Sequence, residues 1–109
     1  MDASNPSSSA AAFVSEDRLW KLLMDVAAYG ATEKGGVNRQ ALSEEDTAAK
    51  RHVIRWAAER GFQTFQDDIG NLFVRRDGTE PDLAPVMTGS HLDSQPTGGK
   101  FDGAYGVLA

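Results

Sequence analysis

A chain of 109 residues suffices for one small domain, and its 40% hydrophobic and 25% charged residues match an ordinary soluble globular protein. The formal net charge is −5 and no basic patch stands out, which argues against a nucleic-acid partner. Without cysteine there are no disulfides or thiolate metal sites, so any metal must be held by His, Asp or Glu.

Residues 1–14 read as a disordered tail. Met1 to Ala12 is rich in Ser and Ala and carries neither Lys nor Arg. It therefore lacks the basic start of a secretory signal and the arginines of a mitochondrial presequence. No apolar run approaches the ~20 residues needed to span a bilayer. The expectation is a cytoplasmic protein with no membrane partner.

From Ser15 the pattern turns helical. Ser15 suits an N-cap, Glu16 and Asp17 complement the helix dipole, and Leu19, Leu22, Leu23, Val26 and Ala27 form an apolar stripe. This helix fades near Tyr29 and Gly30, and Ala31 to Ala41 reads as a loop. Ser43 opens a second helix, with Asp46 at the reciprocal position of a capping box and a stripe of Ala49, Val53, Trp56 and Ala57. Gly61 is its natural stop. His52, on the flank of that stripe, reads as a surface histidine.

Phe62 to Gln66 and Asn71 to Arg76 predict two strands joined by a hairpin turn at Asp67-Asp68-Ile69-Gly70. A polar loop follows, then Pro85 to Ser90 as a short buried strand. Gly103 to Ala109 begins a last helix. The expected architecture is α/β: two helices, a β-hairpin and a buried strand.

The chemistry gathers in Gly89-Ser90-His91-Leu92-Asp93-Ser94 and Gly98-Gly99-Lys100-Phe101-Asp102-Gly103. Alternation along an extended backbone turns His91 and Asp93 to the same side. An imidazole there can bind a metal through one ring nitrogen while a carboxylate two residues on fixes its orientation. Asp102 follows on a glycine-flanked loop, and one carboxylate can bridge two ions ~3.5–4 Å apart. Taken singly, His91 suits a hydrogen-bonded structural role and Asp102 a helix N-cap. The glycines around both make a capping account insufficient. A phosphate-binding loop is excluded because Phe101 follows Lys100 where Ser or Thr is required. The G-x-G-x-x-G spacing and the G-x-S-x-G elbow are also missing.

In order and spacing, Gly35-Gly36-Val37-Asn38-Arg39, Leu42-Ser43-Glu44-Glu45-Asp46, Asp68-Ile69-Gly70-Asn71-Leu72 and Thr88 to Ala109 resemble the hydantoinase/carbamoylase amidases. These belong to the zinc-dependent aminoacylase and carboxypeptidase superfamily and include N-carbamoyl-L-amino-acid hydrolases, β-ureidopropionases and allantoate amidohydrolases. The resemblance implies that residues 15–109 are the N-terminal part of a zinc-peptidase-like α/β/α catalytic domain. It implies His91 as a ligand of one metal, Asp93 as the catalytic-site residue that orients His91, and Asp102 as the carboxylate bridging two metals. The cofactor it implies is a pair of divalent ions, zinc first, with manganese, cobalt or nickel as alternatives. The implied substrate is an N-carbamoyl-L-amino acid or related ureido compound, and the implied assembly is a homodimer of the full-length protein. In that family water attacks the carbamoyl or amide carbon, a glutamate of a Glu-Glu pair acts as base, and further histidines complete the metal shell.

None of those later residues occurs in this sequence, and neither does the family's inserted dimerisation domain. Glu44-Glu45 lies in a capped first turn upstream of the metal loop and is no substitute. The expectation is therefore a truncated piece, inactive alone. Two other readings stand beside it: allantoate amidohydrolase or an aminoacylase or peptidase of the same superfamily, and a non-catalytic fragment.

Overall fold

The computed structural model describes residues 6–109. In chain order the elements are α1 (Pro6–Ala11), α2 (Glu16–Ala27), α3 (Glu44–Glu59), β1 (Gln63–Gln66), β2 (Leu72–Arg75) and α4 (Ala104–Leu108). The α/β class holds, in four helices and one two-stranded sheet among the described residues. Part of the expected disordered tail, residues 1–5, lies outside the described residues. Within the remainder, Pro6–Ala11 is helical, whereas residues 12–14 form no helix or strand. Proline fits the first helical position and alanine is the best helix former, which accounts for this short turn.

Helix α2 starts as its sequence dictates: the Ser15 side chain accepts from the Arg18 N–H at 3.2 Å. At α3 the Ser43 hydroxyl accepts from Asp46 N–H at 3.2 Å. The Asp46 carboxylate reaches back one residue further than a standard capping box and takes the Leu42 N–H at 3.0 Å. This places Leu42 at φ 65°, the one non-glycine residue with positive φ among those described. Helix α3 ends in a Schellman motif, with Phe62 N–H donating to Ala57 C=O and Gly61 N–H to Ala58 C=O. Gly61 takes the left-handed φ of 73° that this motif needs.

Strands β1 and β2 pair antiparallel, Gln63 with Arg75 through Gln66 with Leu72, and Phe65 stacks on Phe73 with ring centroids 5.1 Å apart. The turn is organised by Asp67. Its carboxylate accepts from the backbone N–H of Ile69 and Asn71 and from the Asn71 side-chain amide. These bonds, the Asn71 side chain first, hold its carboxyl below the usual aspartate value.

Pro85 to Ser90 is not the buried strand expected. It pairs with no strand among the described residues, and Val86 and Met87 are exposed. An apolar run becomes a strand only where neighbouring backbone satisfies its N–H and C=O groups, and β1 and β2 pair with each other. His52 also departs from a plain surface residue. It is half-buried, with Nδ1 3.1 Å from the Tyr29 hydroxyl and its ring edge-on to that phenol.

The core unites Leu23 and Val26 of α2, Val53 of α3, Leu92 and Ala104, with Leu19, Met24, Leu72, Val107 and Leu108 packed against it. Burying a Leu or Val side chain contributes about 1.5–3 kcal/mol. Leu92 and Ala104 thus anchor the two segments that carry His91, Asp93 and Asp102. No helix among the described residues is long and apolar enough to cross a membrane.

The Asp67 turn predicts a pH response. A lowered carboxyl stabilises the fold fully above the ordinary aspartate pKa of 3.8, and this stabilisation is lost as pH falls through the lower folded value. NMR titration of the Asp67 carboxyl carbon is expected to give a midpoint below 3.8, tracked by the Asn71 amide proton. A midpoint at or above 3.8 contradicts the assignment of these bonds.

Candidate functional site

The site is built on a buried arginine. Arg39, only 2% exposed, extends from the loop after α2 into the base of the molecule. Its Nε donates to Leu92 C=O at 2.7 Å, and its Nη1 donates to the carbonyls of Val26 and Tyr29 at 3.1 and 2.7 Å. Those last two carbonyls lie in and just beyond the last turn of α2, where the helix dipole favours a cation; Val26 C=O also accepts the Tyr29 N–H at 3.1 Å. Burial pushes the guanidinium below the usual arginine range, and the charges of Asp46 and Asp93 oppose that shift.

The backbone of Arg39 is held as firmly as its side chain. Its N–H donates to Ser94 Oγ at 2.8 Å, and its carbonyl accepts the Ser94 N–H at 2.6 Å. Two residues away, Val37 and Gly98 exchange both backbone bonds at 2.9 Å. A side chain at position 98 would stand 2.7 Å from Ser94 Cβ, so glycine is required for this close approach. The Gly35–Arg39 loop thereby forms a short ladder against residues 94–98.

Since Leu92 and Ser94 face Arg39 and the core, the alternating His91 and Asp93 side chains turn the other way. His91 Nδ1 lies 3.0 Å from the Asp93 carbonyl oxygen and 3.3 Å from its carboxylate Oδ1. Both are acceptors, and the carbonyl can only accept, so Nδ1 carries the proton. On the far side of the ring, Nε2 lies 3.6 Å from Asp102 Oδ2. The side chains are 52% exposed for His91, 41% for Asp93 and 79% for Asp102, so the site opens to solvent.

Gly103 sets the distance between the two segments. It has φ 72°, and a Cβ there would come 2.5 and 2.6 Å from Cε1 and Nδ1 of the His91 ring, and closer still to the His91 carbonyl oxygen. Gly106 similarly leaves room for Ser90, whose Oγ would be 2.9 Å from a Cβ at 106. Gly103, just before α4, and Gly106 within it therefore pack against the Ser90–His91 segment, and Asp102 arrives beside Nε2.

The three residues singled out from the sequence are thus neighbours. They do not make a three-ligand cage: among the described residues no group of three or more His, Asp or Glu side chains is arranged to hold a metal ion. Asp93 lies against Nδ1, away from the space between Nε2 and Asp102. Sequence reasoning missed Arg39 and Ser94 as the frame of the site. Alternation places Val37 and Arg39 on one side of an extended segment, but only the structure shows both buried, at 0% and 2% exposed.

No family model matches the chain. Individual proteins do. An N-carbamoyl-L-amino-acid amidohydrolase of Rhizobium meliloti is 49% identical over 96 residues, which is 88% of this chain and 23% of that protein. An allantoate amidohydrolase of Bacillus subtilis is 44% identical over 84 residues, 77% of this chain and 20% of that protein. Among solved structures, a hydantoinase/carbamoylase family amidase of Burkholderia vietnamiensis superposes with a TM-score of 0.85 at 56% identity, covering 87% of this chain and 23% of the other. The chain thus spans about a quarter of the length of the relatives it matches. Over the residues that align, the chain is similar in sequence and in fold to amidases of the hydantoinase/carbamoylase family.

Proposed function

We propose that this chain supplies a metal half-site of an amidohydrolase that cleaves linear C–N bonds of N-carbamoyl-L-amino acids or related ureido compounds. The observation that carries the reading is the pairing of His91 Nε2 with Asp102 Oδ2 at 3.6 Å. With Nδ1 protonated, Nε2 presents a lone pair to a carboxylate, and two acceptors in that position are favourable only with a cation or a proton between them. The spacing suits a shared ion. Two ligands at bond lengths of ~2.0–2.2 Å in tetrahedral geometry stand about 3.4 Å apart.

His91 and Asp102 are the residues that would hold the ions, with Asp102 free to offer its second oxygen to another. When bound, divalent ions supply Lewis-acid activation of the carbonyl and of water. Asp93 keeps the His91 proton on Nδ1 and so leaves Nε2 available as a ligand. The overall reaction consumes one water and converts a carbamoyl amino acid into the amino acid, carbon dioxide and ammonia. The relatives' names favour ureido carboxylates as the substrate class, carbamoyl amino acids or allantoate.

The 109-residue chain alone is expected to be inactive. Two ligands are fewer than the three protein ligands of a usual catalytic zinc site. Among the described residues none is positioned as a general base, a role worth ~10²–10⁴-fold in rate. Ammonia release from N-carbamoyl amino acids with added zinc, manganese or cobalt should match that of a His91→Ala control. Metal-dependent turnover well above the control would sink the half-site reading.

Gly103→Ala provides a separate check on geometry. The added methyl cannot fit beside the His91 ring, and the left-handed backbone costs a further ~1–2 kcal/mol. Zinc affinity measured by calorimetry is expected to fall at least as far as in Asp102→Asn. Unchanged affinity would show that the approach of Gly103 to His91 is irrelevant to the site.

A further inference from the structure

We infer that Arg39 is the positioning residue of the His91–Asp93 pair: by clamping the Leu92 carbonyl it sets the ring-nitrogen protonation that makes His91 a ligand. The inference deepens the proposed function and rests on that reading only for its bearing on metal.

Arg39 bonds to the one residue lying between His91 and Asp93, and through its backbone to Ser94, the residue after the pair. The three acceptors of its guanidinium come from two different segments: Val26 and Tyr29 at the end of α2, and Leu92. A guanidinium presents its donors in a fixed plane, so satisfying all three fixes how residue 92 sits relative to α2. A peptide plane held at its carbonyl cannot rotate without breaking that bond. The Asp93 carbonyl, the nearer acceptor for Nδ1 at 3.0 Å, belongs to the next peptide unit and is constrained on its far side by Ser94 N–H bonding to Arg39 C=O. Both peptide units around Asp93 are therefore tied to Arg39.

Loss of the guanidinium releases the Leu92 peptide plane and leaves the Asp93 carbonyl held only from its Ser94 side, by the backbone bond to Arg39 C=O, so it turns more freely away from the imidazole. The Nδ1 proton is then held chiefly by the Asp93 carboxylate at 3.3 Å, in competition with Nε2, where the Asp102 carboxylate is an acceptor 3.6 Å away. A proton on Nε2 blocks the lone pair that a metal requires. Arg39 touches neither the ring nor Asp102, so its action runs through the backbone of Leu92 and Ser94.

The test reads the His91 imidazole nitrogens by ¹⁵N NMR at a pH where the ring is neutral, in the metal-free 109-residue chain. The wild-type chain is expected to show a pyrrole-type Nδ1 and a bare Nε2, together with an Arg39 Nε–H that exchanges slowly with solvent. In Arg39→Met the two nitrogens are expected to move toward equal protonation. Arg39→Lys keeps the charge but loses the planar fork, and is expected to fall between them. Zinc affinity should drop by about tenfold in Arg39→Met, the lower end of the loss seen when partners supporting a ligand are removed. An Arg39→Met chain that is folded and keeps the wild-type nitrogen pattern overturns the inference. If neither variant folds, the wild-type measurement decides: a predominantly Nε2-protonated ring, or an Arg39 Nε–H exchanging as fast as in free arginine, also overturns it. If the nitrogen pattern shifts as expected but the wild-type chain binds no zinc, the positioning role stands and the metal reading fails.

Discussion

A guanidinium removed from water must find partners for its donors, and Arg39 finds them in the backbone carbonyls of Leu92, Val26 and Tyr29. Taking a charge into a protein interior costs several kcal/mol even after relaxation. Hydrogen bonds to a charged group return about 1.5–3 kcal/mol each, and three of them roughly offset that cost. The charges of Asp46 and Asp93 tilt the balance toward the protonated form. Net stability is therefore not what distinguishes this residue from a well-packed methionine. Its distinctive effect is directional, since only a planar fork joins the end of α2 to the Leu92 carbonyl in one geometry.

The rest of the site follows from that constraint together with close packing by glycine. Leu92 is pulled inward both by its carbonyl and by its side chain, which joins the core with Leu23, Val26 and Val53. With Leu92 and Ser94 committed inward, His91 and Asp93 are left facing outward together. Gly98, Gly103 and Gly106 each approach a neighbouring segment too closely for a side chain. They bring the Asp102 loop within reach of the imidazole. The polar side of this region presents His91, Asp93 and Asp102, while its apolar side is continuous with the core.

Most of the helices and the hairpin were legible because their determinants are local. Ser15 and Ser43 cap as their spacing indicates, and Gly61 stops α3 through a left-handed residue. The Asp67 turn closes a hairpin whose strands are one residue shorter at one or both ends than expected. Alternation also anticipated that His91 and Asp93 share a side. Failures arose where the determinant was non-local. The run Pro85 to Ser90 is apolar enough for a strand, yet a strand exists only through its pairing, and sequence pattern does not supply the partner. The burial of Arg39 was similarly invisible, because arginine is ordinarily exposed and its carbonyl partners lie up to 53 residues away.

The space between His91 Nε2 and Asp102, framed by the Arg39 clamp, is the proposed cation site. Crystals of the chain grown with zinc, with anomalous diffraction collected on both sides of the zinc edge, test this most directly. The account predicts a zinc peak within ~2.0–2.2 Å of both His91 Nε2 and an Asp102 oxygen, with Asp93 against Nδ1 and outside bonding distance of the ion. Zinc bound through Nδ1, or ordered zinc only at sites that involve neither His91 nor Asp102, would contradict it.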